Sequence, residues 1–135
     1  MAVVAALSLM GCVSVPIAES ALTVAAPTSI AADCSRDVTA ELNAWIAITP
    51  DNTTLAFAPN GCYRVDGTLL VVDRTGLVFE GNHATFRAVT DGSELVNPTK
   101  VRMRAMWQFG GGSHLTVRDL VVVGANPAAG RGDRA

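Results

Sequence analysis

The 135-residue chain is poor in aromatics: two Trp, one Tyr and four Phe make up 5% of it. Aliphatic side chains must therefore supply most of any core. Long apolar runs are also missing. Ala2–Met10 is apolar apart from Ser8, and such a stretch falls well short of the about 20 residues that span a bilayer. No Lys or Arg precedes Arg36, and from residue 33 onward 10 basic residues face 11 acidic ones. That balance excludes the concentrated basic face on which nucleic-acid binding depends. Histidine is limited to His83 and His114, neither with a Cys at ligand spacing, so no metal site is expected. Gly110-Gly111-Gly112 lacks the Gly-Lys-Ser/Thr of a phosphate loop and reads as a turn. No cofactor is expected.

Residues 1–32 read as a separate unit, a signal peptide or lipoprotein leader. Ala2–Met10 has the length of a signal-peptide hydrophobic region. Small residues at Val24-Ala25-Ala26 and at Ile30-Ala31-Ala32 suit a signal peptidase, although the basic n-region is missing. Leu9-Met10-Gly11-Cys12 resembles a bacterial lipobox, which makes Cys12 a candidate lipidation site and a lipid anchor the one membrane link. The alternative is a disordered cytoplasmic tail. Cys12 aside, one pair remains, Cys34 and Cys62. In an exported chain such a pair normally oxidises; the other reading is two buried free thiols.

The segment 33–50 reads as one helix, Asp37–Ile48, with Asp37 as N-cap and Glu41 near the positive end of the dipole. Val38, Leu42, Trp45 and Ile46 fall on a single apolar stripe, and Pro50 stops the helix. From there the period changes to 2. Leu55-Ala56-Phe57 recurs as Leu77-Val78-Phe79, 22 positions from Phe57 to Phe79. Tyr63-Arg64-Val65 recurs as Ala84-Thr85-Phe86, 21 positions from Val65 to Phe86. A third set lies further on: Val117 is 38 positions past Phe79, Val122 is 36 past Phe86, and Phe109 is 38 past Val71. One insertion of about 16 residues between Phe86 and Trp107 accounts for all three larger steps, and the polar segment 87–106 has loop composition.

A period near 22 with three short strands in each is the pattern of a parallel β-solenoid. Alternate residues then point inward, and Gly76, Gly81 and Gly124 take the bends. The helix is placed to cover the N-terminal end of residues 51–127, against an alternative of ordinary core packing in another fold. The tail, 128–135, has no apolar stripe able to cover the last strands. Marginal stability and self-association through that open end are the expectations.

Three runs carry a family resemblance: Asn60-Gly61-Cys62-Tyr63-Arg64-Val65-Asp66-Gly67-Thr68-Leu69, Thr75 to Phe86, and Leu115-Thr116-Val117-Arg118-Asp119-Leu120. Together they resemble the start of bacterial secreted right-handed parallel β-helix proteins of the pectate-lyase superfamily, a group that includes polygalacturonase-like glycosidases. The resemblance covers about residues 34 to 127; His83 stands where the family usually has Gly. It implies a mainly β solenoid of two to three coils with an N-terminal capping helix, and relatives acting as polysaccharide lyases or glycoside hydrolases. It carries no catalytic residue onto this chain. Asn-x-Asp, Asp-Asp, Gly-His-Gly and Arg-x-Lys are all missing, and Asp91 and Glu94, the nearest acids in the coil region, sit in the insertion. The expected protein is thus the N-terminal part of an exported carbohydrate-active protein, inactive by itself. A rival is a non-catalytic cell-surface or carbohydrate-binding solenoid module. A β-sandwich is the second rival, and it requires antiparallel hairpins.

Lesser features complete the reading. Lys100, Arg102 and Arg104 alternate with apolar residues and form either a strip for acidic sugars or a solvated edge strand. Arg131-Gly132-Asp133 matches an integrin tripeptide near the chain end, and Asn52-Thr53-Thr54 is a formal glycosylation acceptor.

Overall fold

The computed structural model describes residues 22–89 and 105–125, together with the backbone of two short strands between them. The elements are β1 (Leu22–Ala25), β2 (Asp33–Asp37), α1 (Thr39–Ile48), β3 (Thr53–Ala56), β4 (Cys62–Arg64), β5 (Leu69–Val72), β6 (Val78–Arg87), β7 (Leu95–Val96), β8 (Arg102–Met103), β9 (Trp107–Gly110) and β10 (Thr116–Val123). The protein is mainly β, with one helix and a parallel sheet curled into a half-barrel. Every strand pair among the described residues is parallel except β7 with β8. This removes the β-sandwich reading, which requires antiparallel hairpins. The β7–β8 pair lies inside the segment expected to be an insertion, so that segment contains a short hairpin.

The curl follows from β6. Its first half pairs with β3 and its second half with β4, while β10 runs beside both halves. Two walls meet at a corner, β1–β3–β6–β10 on one side and β2–β4–β6–β10 on the other. β5 and β9 form a third, separate wall.

The direction of pairing agrees with the repeat, and so do three offsets: Val117 pairs with Phe79, Val122 with Phe86, and Phe109 with Val71. Two others are corrected. Phe79 pairs with Leu55 and not Phe57, and Phe86 pairs with Tyr63 and not Val65. Both errors equal two residues. A two-residue slip keeps every side chain on its own face, so alternation of apolar and polar residues cannot detect it.

The corners set the true register. Continuing the strand pairings through each bend aligns Asn52, Gly76 and His114 in one column, with φ of 58°, 69° and 55°. A second column is Asn60, His83 and Asp119, at 55°, 65° and 57°, and a third is Asp73 and Gly111, at 54° and 67°. Asn, Asp, His and Gly are the residue types that tolerate the left-handed region. The His83 position thus keeps its bend without glycine. Of the three expected bend glycines, only Gly76 has positive φ. At Gly81 the reason is space: an added Cβ would run into the backbone carbonyl of Asp119. Gly124 has neither constraint.

Gly112 combines both, with φ of 73° and the Arg74 backbone lying where a Cβ would go. Gly112→Ala is expected to lower stability by about 2–4 kcal/mol. Gly110→Ala, whose Cβ would come no nearer than 4.0 Å to Val72, should cost less than about 1 kcal/mol. Urea unfolding of the two variants measures the difference.

The helix begins at Thr39, two residues later than expected, and Val38 occupies the cap position without a capping side chain. Asp37 acts from one residue further back: its Oδ1 accepts from the Thr39 N–H (3.1 Å), the Thr39 hydroxyl (2.6 Å) and the Asp66 N–H (3.1 Å). The expected stripe of Val38, Leu42, Trp45 and Ile46 is buried in the same core as the strands. Thr49 takes extended backbone (ψ 129°) and ends the helix, as the residue before Pro50 must.

Two polar side chains join the helix to β5. Asn43 Nδ2 donates to the Thr68 carbonyl and its Oδ1 accepts from the Leu70 N–H, both at 2.8 Å. One side-chain amide thereby stands in for a neighbouring strand along the β5 edge that faces the helix. Arg74 donates to the carbonyls of Ile46 (2.8 Å) and Thr49 and to Asp51 (2.8 Å). A cation there satisfies end-of-helix carbonyls and complements the dipole.

Segment 22–32, assigned by composition to the leader, contributes to the fold. β1 pairs with β3 over Leu22–Ala25, Ile30 is buried, and Val24, Ala26, Ala31 and Ala32 pack on the core. Alternating small apolar residues fit a sheet face as well as they fit a leader.

Candidate functional site

All seven aromatic rings belong to one network of ring contacts. Phe57 contacts Trp45, Tyr63, Phe86 and Trp107, and Phe79 contacts Trp107 and Phe109. The inward columns run Leu55, Phe79, Val117 on the first wall and Tyr63, Phe86, Val122 on the second, with Val71 and Phe109 on the third. In each column the earlier members are 0–1% exposed, whereas Val117, Val122 and Phe109 are 43%, 51% and 44% exposed. The core is therefore closed at the α1 end and open at the β9–β10 end. This open apolar face is the most distinctive surface of the described residues.

The disulfide is formed between Cys34 and Cys62, with Cα atoms 5.0 Å apart. It links β2 to β4, which pair directly through Asp33 and Cys62. A disulfide is compatible with an extracellular location, and no helix among the described residues is long and apolar enough to cross a membrane.

Cys12, Lys100, Arg104, Asp91, Glu94 and the Arg131–Asp133 tripeptide lie outside the described residues, as does the side chain of Arg102, whose backbone is in β8. Among the described residues no group of three or more His, Cys, Asp or Glu is placed to hold a metal ion.

The described carboxylates hold turns and edges. Asp66 accepts from Arg64 Nε (2.8 Å) and from the Val89 N–H (2.7 Å). Glu80 accepts from Arg118 Nε at 2.5 Å, Asp51 from Arg74 Nε, and Glu41 from Arg36. Burial works to raise the Asp37 pKa, but the bonds from Thr39 and Asp66 outweigh it and hold the carboxyl below its ordinary value. Hydrogen bonds from Arg74 to Asp51, Arg118 to Glu80, Arg36 to Glu41 and Ser35 to Asp33 lower those four as well. A general acid at neutral pH needs the opposite displacement.

These downward shifts carry a pH prediction. A carboxylate whose pKa is lower folded than unfolded stabilises the fold above its unfolded pKa and loses that contribution as pH falls through the folded value. The carboxylate contribution is expected to stay level from about pH 7 to 5 and to decline below about pH 4. Urea midpoints across that range measure it, and Asp51→Asn should flatten the acid limb.

Sequence reasoning missed Asn43 and Arg74, whose partners are backbone groups 25 to 28 residues away and, for Arg74, also the Asp51 carboxylate. No local motif marks such a contact. Compared with known protein families, curated proteins and solved structures, the chain matches no family model, no curated protein and no solved structure.

Proposed function

We propose that this chain is the N-terminal part of an exported right-handed parallel β-helix protein related to the polysaccharide lyases and glycoside hydrolases. In this reading the described residues supply the cap and first coils, and catalysis belongs to other coils. The observation that carries it is the alignment of left-handed Asn, Asp, His and Gly residues in columns at successive corners. A chain that turns at equivalent places on each level is winding a coil, and each level repeats the last. The helix-covered end and the Cys34–Cys62 bond suit the first coil of an exported solenoid. The polysaccharide link rests on the family resemblance, and the open end is where further coils would stack.

The test is to assay the oxidised chain for depolymerisation of polygalacturonate and neutral polysaccharides, and to follow oligosaccharide binding by NMR shift titration. No turnover is expected. Turnover abolished by Asp37→Asn or Asp66→Asn would overturn the non-catalytic assignment. Saturable binding without turnover would favour a carbohydrate-binding module in place of an enzyme part.

A further inference from the structure

We propose that the open end of the 135-residue chain is closed by a second copy of itself. The second copy is turned over, so that the two β10 strands run antiparallel with Arg118 of each opposite Asp119 of the other. This concerns the same open end that the proposed function gives to further coils, so a second copy and such coils are alternative occupants of it.

β10 is bent. Thr116–Arg118 lies on Val78–Glu80, Leu120–Val123 lies on Ala84–Arg87, and Asp119 occupies the corner with φ of 57°. A two-fold axis through that corner lays the first arm of one copy on the second arm of the other. The pairs are then Arg118 with Asp119, Val117 with Leu120, and Thr116 with Val121. Val117 continues the buried Phe79 column and Leu120 the buried Ala84 column, so both face the core. Thr116 and Val121 face outward with Val78 and Thr85. Core-facing residues therefore meet core-facing residues along both arms. The left-handed residue at the corner makes this so: in an unbroken strand, positions 117 and 120 would lie on opposite faces.

Charge selects this register. Shifting the axis by one position either way sets Arg118 against Arg118 or Asp119 against Asp119, and like charges directly opposite are destabilising. Both side chains are exposed, and Arg118 uses only Nε for Glu80. Geometry selects a two-fold over a chain of copies. Head-to-tail stacking would set β10 on β1 and β2, the edge strands of the other end, but there α1 already covers the core and Asn43 occupies the β5 edge. A self-complementary patch closes as a dimer.

The test is sedimentation velocity on the oxidised chain at about 100 µM. A dimer is expected. Arg118→Asp and Asp119→Lys should each weaken it at least tenfold, and an equal mixture of the two variants should regain it, because each altered residue then faces an opposite charge across the interface. Val122→Lys, at a position already half exposed, should give a folded monomer by near-UV circular dichroism. A monomeric parent, an open-ended polymer, or a mixture that regains nothing would each overturn the proposal.

Discussion

Phe86→Ala is expected to remove about 3–5 kcal/mol of folding stability. Val122→Ala, the next position in the same column, should remove less than about 1 kcal/mol. The Phe86 ring is fully buried and touches three others: Phe57 edge-on at 4.9 Å, Tyr63 stacked at 5.3 Å and Trp107 at 5.3 Å. Truncation loses the transfer free energy of the ring and leaves a cavity between walls that hydrogen bonds hold apart. Such rigid surroundings collapse poorly, which favours the upper part of the range. Val122 is half exposed, so its truncation opens no enclosed space. The comparison should be made by urea unfolding at about 1 µM, where self-association adds little to apparent stability. Equal losses at the two positions would show that the core is not open at the β10 end.

Removing the disulfide should have a comparable effect. The Cys34–Cys62 bond closes a separation of 28 residues, and the chain-entropy model assigns such a loop about 3–4 kcal/mol. The enclosed segment contains α1, β3 and most of β2, so cleavage releases the helix-covered end first. A thiol reductant is expected to lower the urea midpoint of the parent and to leave that of a Cys34→Ala/Cys62→Ala variant unchanged, with the reduced parent and the variant alike. Protection from hydrogen exchange should fall earliest at Cys62 and Val38, whose N–H groups bond to Ala32 and Arg64. If the reduced parent unfolds at the same midpoint as the oxidised one, the bond does not hold this end.

Several parts of the architecture were legible because they are local. The stripe Val38, Leu42, Trp45 and Ile46 is set by helical spacing, and the inward faces of β3, β6 and β10 by a period of two. Of the corner positions only Gly76 was among the expected bends, although the others also carry Asn, Asp, His or Gly, the residues that tolerate positive φ. The Cys34–Cys62 pairing followed from cysteine number in a chain read as exported. The last strands were legible too, because apolar runs recur at Leu115–Val117 and Leu120–Val122. As for the candidate site, its strands and inward residues could be named from these runs, but not which of them remain exposed.

What the amino-acid sequence determined by itself is therefore the face, the direction and the rough spacing of each strand, since each depends on neighbours along the chain. Only the tertiary structure decided the rest. Leu55, and not Phe57, lies beside Phe79 because the bend at Asn52 must stack on the bend at Gly76, and a register shift of two is silent in a period-two pattern. Leu22–Ala25 joins the sheet because the edge of β3 offers it unpaired backbone groups, whatever else its composition suits. Asn43 and Arg74 became structural because folding brings backbone groups with unmet hydrogen-bonding capacity within reach of them. These outcomes depend on contacts between distant residues, which no local pattern encodes.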